Sequence, residues 1–184
     1  MDAITEAPPP ATMLDRFLAG LQAGMMAVIV MLGWLGVSAM WNRHTFWTAA
    51  NQMATLFRGG AAIVPGFGPY TATGLAFYVL VYSLLGAAFA LAVPRKLTIF
   101  GLMLMGVLTA LAWYTLWFRL LGQTLMPLVW LLHSERPMEF AHVLFGVMLA
   151  RFPGYLHGGQ PKPATPDATP SIPAQSSSPP DPVS

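Results

Sequence analysis

Two long stretches without a charge, joined by a tight basic turn, constrain this chain more than anything else in it. Gly59 to Pro94 contains no Asp, Glu, Lys or Arg, and neither does Leu97 to Phe118; Pro94-Arg95-Lys96 connects them. A hydrocarbon layer about 30 Å thick takes about 20 helical residues to cross. At about 1.5 Å per residue, Leu97–Phe118 reaches about 33 Å. A water-exposed helix of that length would carry a polar stripe, and neither stretch has one. Among open-chain forms only the helix satisfies its own backbone groups in hydrocarbon. Proline disfavours helical geometry in the residue before it, so Val93 closes the first rod. The pair therefore reads as a helical hairpin across a bilayer, with residues 70–93 and 97–121 as its arms.

The rest of the composition agrees. Of 184 residues, 55% are hydrophobic and 9% charged, against about 25% charged in soluble domains. The net charge of +2 comes from scattered groups and forms no basic patch, which speaks against a nucleic-acid partner. The absence of cysteine removes disulfides, thiolate metal sites and cysteine nucleophiles.

In chain order, residues 1–15 read as an acidic, Pro-containing tail. The apolar run Phe17–Trp41 is longer than the core of a cleaved secretory signal, so residues 17–41 read as a retained first span. Gly20, Gly24, Ala27, Met31 and Ser38 share one face of it, and small residues in line let membrane helices approach closely. Residues 43–58 read as an amphipathic interfacial helix, with Phe46, Ala50, Met53 and Phe57 on its apolar face, Asn42, Arg43, His44, Asn51, Gln52 and Arg58 supplying its polarity, and Trp41 and Trp47 as anchors. The Gly/Pro-rich segment Gly59–Pro69 is a loop. It is not a phosphate loop, since the Gly-x4-Gly-Lys-Ser/Thr pattern is missing. In the second span Ala72, Ala76, Ser83, Ala87 and Ala90 form a small-residue stripe, while the Tyr78 and Tyr82 hydroxyls need partners. In the third span Gly106, Ala110, Trp113 and Trp117 align. A break is predicted between Gly122 and Pro127, because one helix from Leu97 to Leu132 would be about 54 Å long. Residues 138–156 form a short fourth span in which Glu139, His142, Gly146 and Ala150 share a face and Arg151 snorkels. Residues 157–184 form a Pro/Ser-rich disordered tail.

The expected fold class is therefore all-α: an integral membrane bundle of about four transmembrane helices with one interfacial helix. An even number of crossings puts both termini on one side. The tight Arg95-Lys96 turn marks that side as cytoplasmic, since charge bias acts through short loops. The same topology gathers His44, Arg119, His133, Glu135, Arg136, Glu139 and His142 at the opposite face, and any site belongs there. Glu139 and His142, spaced i, i+3, match half of a di-iron carboxylate site, but no second copy exists. A single metal on His133, Glu139 and His142, or a haem on His142, are weaker readings. The plainer reading pairs Glu139 with Arg119 or Arg136 and has His142 bond a neighbouring helix. No Gly-x-Ser-x-Gly elbow is present, and no hydrolase is expected.

One set of features invites comparison with a known family. Gly74, Tyr78, Ser83 and Gly86 lie in the second span, Pro127 follows the third, and His142-x3-Gly146 opens the fourth. This order resembles that of small four-helix bacterial inner-membrane proteins with no assigned activity. The resemblance covers about Leu18 to Pro153 and implies an inner-membrane location. Where such proteins often place a histidine in span two, this chain has Phe77-Tyr78, which weakens the metal and haem readings further. The sequence thus points to a non-enzymatic protein without cofactor, partnered by lipid and by itself or another membrane protein. A small transporter or channel with Glu139 and His142 at its mouth is the rival reading.

Overall fold

The computed structural model describes residues 11–94 and 97–157. The Arg95-Lys96 turn and the greater part of both expected tails lie outside the described residues. Everything described is helix or connecting turn, with no strand. Three rods are long and apolar enough to cross a membrane: α1 (Met13–Trp41), α3 (Thr71–Ala92), and the continuous helix Ile99–Leu125. This last rod consists of α4 (Ile99–Tyr114), a π-helical turn (Thr115–Leu121) and α5 (Gly122–Leu125).

α1 begins before the apolar run because Thr12 and Asp15 form a capping box, each side chain closing on the other's backbone N–H. It runs antiparallel to α3, and Gly20, Gly24 and Gly86 set the closeness of that pair. A Cβ added at Gly24 would stand 2.6 Å from the Tyr82 carbonyl oxygen. At the far end of the pair the Arg16 guanidinium donates to the Val93 carbonyl. α4 packs against α7 (Glu135–Leu149) in the same manner, through Gly106 and Gly146. α7 also lies along α1, where the Trp34 indole donates to the Pro137 carbonyl at 3.0 Å and its ring meets Phe140.

Four expectations change. The helix expected over residues 43–58 is shorter, α2 (Thr48–Arg58), because Arg43 takes a left-handed turn at φ 60°. Asn51, expected on the polar face of that helix, is buried. Its amide donates to the Val64 and Gly66 carbonyls and accepts from the Thr71 hydroxyl, so it pins the Gly/Pro loop. In the second span Ala76 is exposed, while Ser83, Ala87 and Ala90 are buried. The neighbour of α3 changes along its length: α1 covers its end, whereas α2 covers its start through Gly74 and Ala50. Finally, the fourth span divides. α7 has 15 residues, about 22 Å, and α8 (Phe152–His157) follows a turn at Ala150-Arg151. Pro153 has no N–H for the Leu149 carbonyl, which is why α7 ends there. The break before Pro127 falls at Met126, followed by α6 (Pro127–Leu132).

Candidate functional site

The seven polar residues expected to form one cluster stand at the same end of the bundle but in three separate settings. His142 is the deepest. It is fully buried in mid-α7, and its Nδ1 lies 2.7 Å from the Met138 carbonyl oxygen. A carbonyl can only accept, so Nδ1 carries the proton and Nε2 presents a lone pair. The Tyr82 hydroxyl, 2.7 Å from Nε2, donates to it. Aromatic rings close the space around the pair. Tyr78 stacks on Tyr82, Tyr114 lies 5.1 Å from the imidazole centroid, and Phe118 meets it edge-on. A metal or haem iron could reach Nε2 only by displacing Tyr82.

His133 and His44 belong to a second setting, a cavity of about 350 Å³ where the end of α1, α2 and the α6–α7 junction meet. Ser38, Asn42, Gln52 and Ser134 also line it, over a floor that includes Leu35 and Met138. Gln52 braces the cavity by donating to the Leu132 carbonyl at 2.9 Å. His133 donates from Nδ1 to the Trp130 carbonyl at 2.6 Å, which leaves a lone pair on a buried Nε2 with no partner. The Phe118 ring contacts both His133 and His142 and stands between the two settings. Among the described residues no three His, Asp or Glu side chains converge as a metal site. The set His133, Glu139 and His142 is therefore not assembled.

The third setting is an open groove between α4 and α7. Arg119 stands 3.4 Å from Glu139 and 3.6 Å from Glu135, all three largely exposed. Arg136 lines the groove beside them, and no ion pair reaches it among the described residues. Tyr114 lies in the groove wall, 3% exposed. Its hydroxyl closes no hydrogen bond although the Arg119 guanidinium is next to it. The π-helical turn makes this neighbourhood. Five residues along an α-helix is about 140° of rotation, which would carry Arg119 away from Tyr114. With bonds running to the fifth residue, Arg119 instead returns to the Tyr114 face and meets α7.

Of the residues expected to pack helices together, Gly20, Gly24, Ala27, Ser83, Ala87, Gly146 and Ala150 are buried between rods, and Ala76 is not. The sequence pattern does not single out Tyr114 or the structural role of Asn51. The need of the Gly/Pro loop for a side-chain partner was the available signal for Asn51. No protein-family model matches this chain, no curated protein matches it, and no solved structure matches it.

Proposed function

We propose that the chain is a non-enzymatic integral membrane protein of the bacterial inner membrane, a four-helix bundle in which α7 with α8 makes the fourth crossing. On this reading it serves as a self-associating unit or as an accessory subunit of a membrane complex, with both termini cytoplasmic.

The observation that carries it is the inverted surface of the rods. Their outward faces are apolar, with Phe100 at 72% and Ile99 at 65% exposure on α4, and Leu80 and Leu84 on α3. Polar side chains such as Tyr82 and His142 turn inward instead, and these two bond each other. Water would make that arrangement costly, whereas hydrocarbon favours it. Exposed Trp41 and Trp130 stand at the polar end with His44, where indoles suit the headgroup layer. Against the transporter reading, His142 is capped by Tyr82 and ringed by aromatics, which encloses it away from the polar face.

The small-residue seams are used inside the bundle, at Gly20, Gly24 and Gly86 and at Gly106 and Gly146. All three rods keep exposed apolar faces, and the least covered of them, Ile99–Leu125, is the surface we assign to a protein partner. A photo-crosslinking amino acid at exposed Leu104 should trap an adduct of defined mass in native membranes, and one at buried Ala110 should not. An adduct near twice 19.9 kDa identifies self-association. No protein adduct at Leu104 overturns the accessory role. Release of the chain from membranes by alkaline carbonate overturns the membrane reading itself.

A further inference from the structure

The groove between α4 and α7 is graded along its length, and both of its walls are graded in the same direction. On the α4 side the order is Arg119, Thr115, Leu111; on the antiparallel α7 side it is Arg136, Glu139, Phe140, Val143, with the Glu139 carboxylate turned to Arg119. Each wall thus runs from a guanidinium to an aliphatic side chain over about 10–12 Å of helix. The cationic end lies with the headgroup-level residues, and the apolar end lies deeper in the bundle.

Two further observations point to an occupant. The Tyr114 hydroxyl, in the wall of this groove, has only the Arg119 guanidinium beside it, which can donate but not accept, so its O–H has no acceptor among the described residues, and an unmet buried donor is costly. Arg119 is engaged by both Glu135 and Glu139, whereas Arg136 lines the groove with no ion pair among the described residues, so it is the guanidinium free to meet an anion although the four charges at this end sum to zero. Anion, hydroxyl acceptor and hydrocarbon are required together, in that order along the groove.

We propose that this groove holds one glycerophospholipid. Its phosphate diester lies against Arg136 and Arg119, an ester or phosphate oxygen accepts from the Tyr114 hydroxyl, and one acyl chain runs along Leu111, Phe140 and Val143. The proposal rests on the membrane reading and adds a ligand class and a site to it. The π-helical turn is then the device that sets Arg119 and Tyr114 on one face so that both meet the headgroup.

The test uses the full chain in dodecyl maltoside, titrated with dioleoylphosphatidylglycerol and read by native mass spectrometry. The expected result is one tightly held phospholipid per chain. Arg136→Gln should weaken retention by about tenfold or more, as loss of a charge-assisted contact does. Tyr114→Phe should weaken it by about tenfold, while costing the lipid-free protein little, since the O–H has no acceptor among the described residues and Arg119 keeps its two carboxylate partners. Dioleoylglycerol, with the same chains but no phosphate, should not replace the phospholipid. Equal retention by wild type and both variants overturns the site, and so does displacement of the lipid by inorganic phosphate, which would make the occupant a soluble anion. Chain that resists carbonate extraction but holds no phospholipid overturns this proposal alone. Chain that carbonate releases overturns the membrane reading beneath it.

Discussion

Tyr82→Phe is the sharpest probe of how the bundle is held. It removes one oxygen, keeps the ring, and takes away the only donor to His142 Nε2 among the described residues. Tyr82 is 2% and His142 0% exposed, so water cannot step in. In a water-soluble core a buried acceptor left bare costs about 1–3 kcal/mol. Between membrane helices, paired substitutions give about 0.6 kcal/mol on average and about 1.7 at most, because separated helices find other polar partners. The seat of this bond places it in the upper part of that range. It joins α3 to α7, and the tight ring packing of Tyr78, Tyr114 and Phe118 around the pair leaves little freedom for another donor to reach Nε2. A coupling of about 1–1.7 kcal/mol is expected. The assay is a double-mutant cycle of Tyr82→Phe and His142→Leu, unfolded in mixed micelles by increasing the dodecyl sulfate fraction. Each single change strands the other partner, whereas the double change strands neither. The packing change from leucine appears on both arms and cancels. A coupling under about 0.3 kcal/mol, the level at which independent sites add, would refute the bond.

Other outcomes follow from particular contacts. Gly24→Leu should destabilise the bundle by at least about 1–3 kcal/mol, because its Cβ would meet Tyr82 backbone. Gly33→Ala, where a Cβ meets nothing, should be neutral or stabilising by up to about 1 kcal/mol; the same unfolding titration reads both. Asn51→Ala frees the Val64 and Gly66 carbonyls, so limited proteolysis within residues 63–68 should accelerate while the rods stay resistant. Because the chain has no cysteine, single Ser134→Cys and Thr98→Cys variants report sidedness. An impermeant maleimide added to spheroplasts should label the first and spare the second, and the reverse pattern would invert the topology.

The long apolar rods were legible because the absence of charge over more than a bilayer's thickness leaves a chain few other solutions. The break before Pro127 was legible for a similar reason: a missing N–H is a local chemical fact. Periodicity served less well where an element's neighbour changes. Ala72 and Ala76 share a helical face with Ser83 and Ala87, yet the first two are exposed, because α1 and α2 cover different stretches of α3. Asn51 shows a related limit. A polar residue on a short amphipathic helix reads as facing water, but here a loop rich in Gly and Pro offers carbonyls that need donors. The requirement lies in the loop, and the residue that meets it lies on α2, ahead of the loop in the chain.

The candidate cluster failed as a cluster for a geometric reason that applies to any helical bundle. Counting crossings assigns each residue to an end of the bundle, which is why His44, His133, Glu139 and His142 do share one. It assigns neither depth nor azimuth, and those decide which groups meet. A regular helix would at least allow azimuth to be projected from one residue to the next, but the turn from Thr115 to Leu121 does not keep α-helical count. Projection from Tyr114 at 3.6 residues per turn sends Arg119 away from Glu139, whereas the structure places it 3.4 Å from that carboxylate. Nothing in Thr-Leu-Trp-Phe-Arg-Leu-Leu announces the change of pitch. The residues of the groove were therefore visible one by one, and their meeting was not, because it depends on one extra residue in one turn.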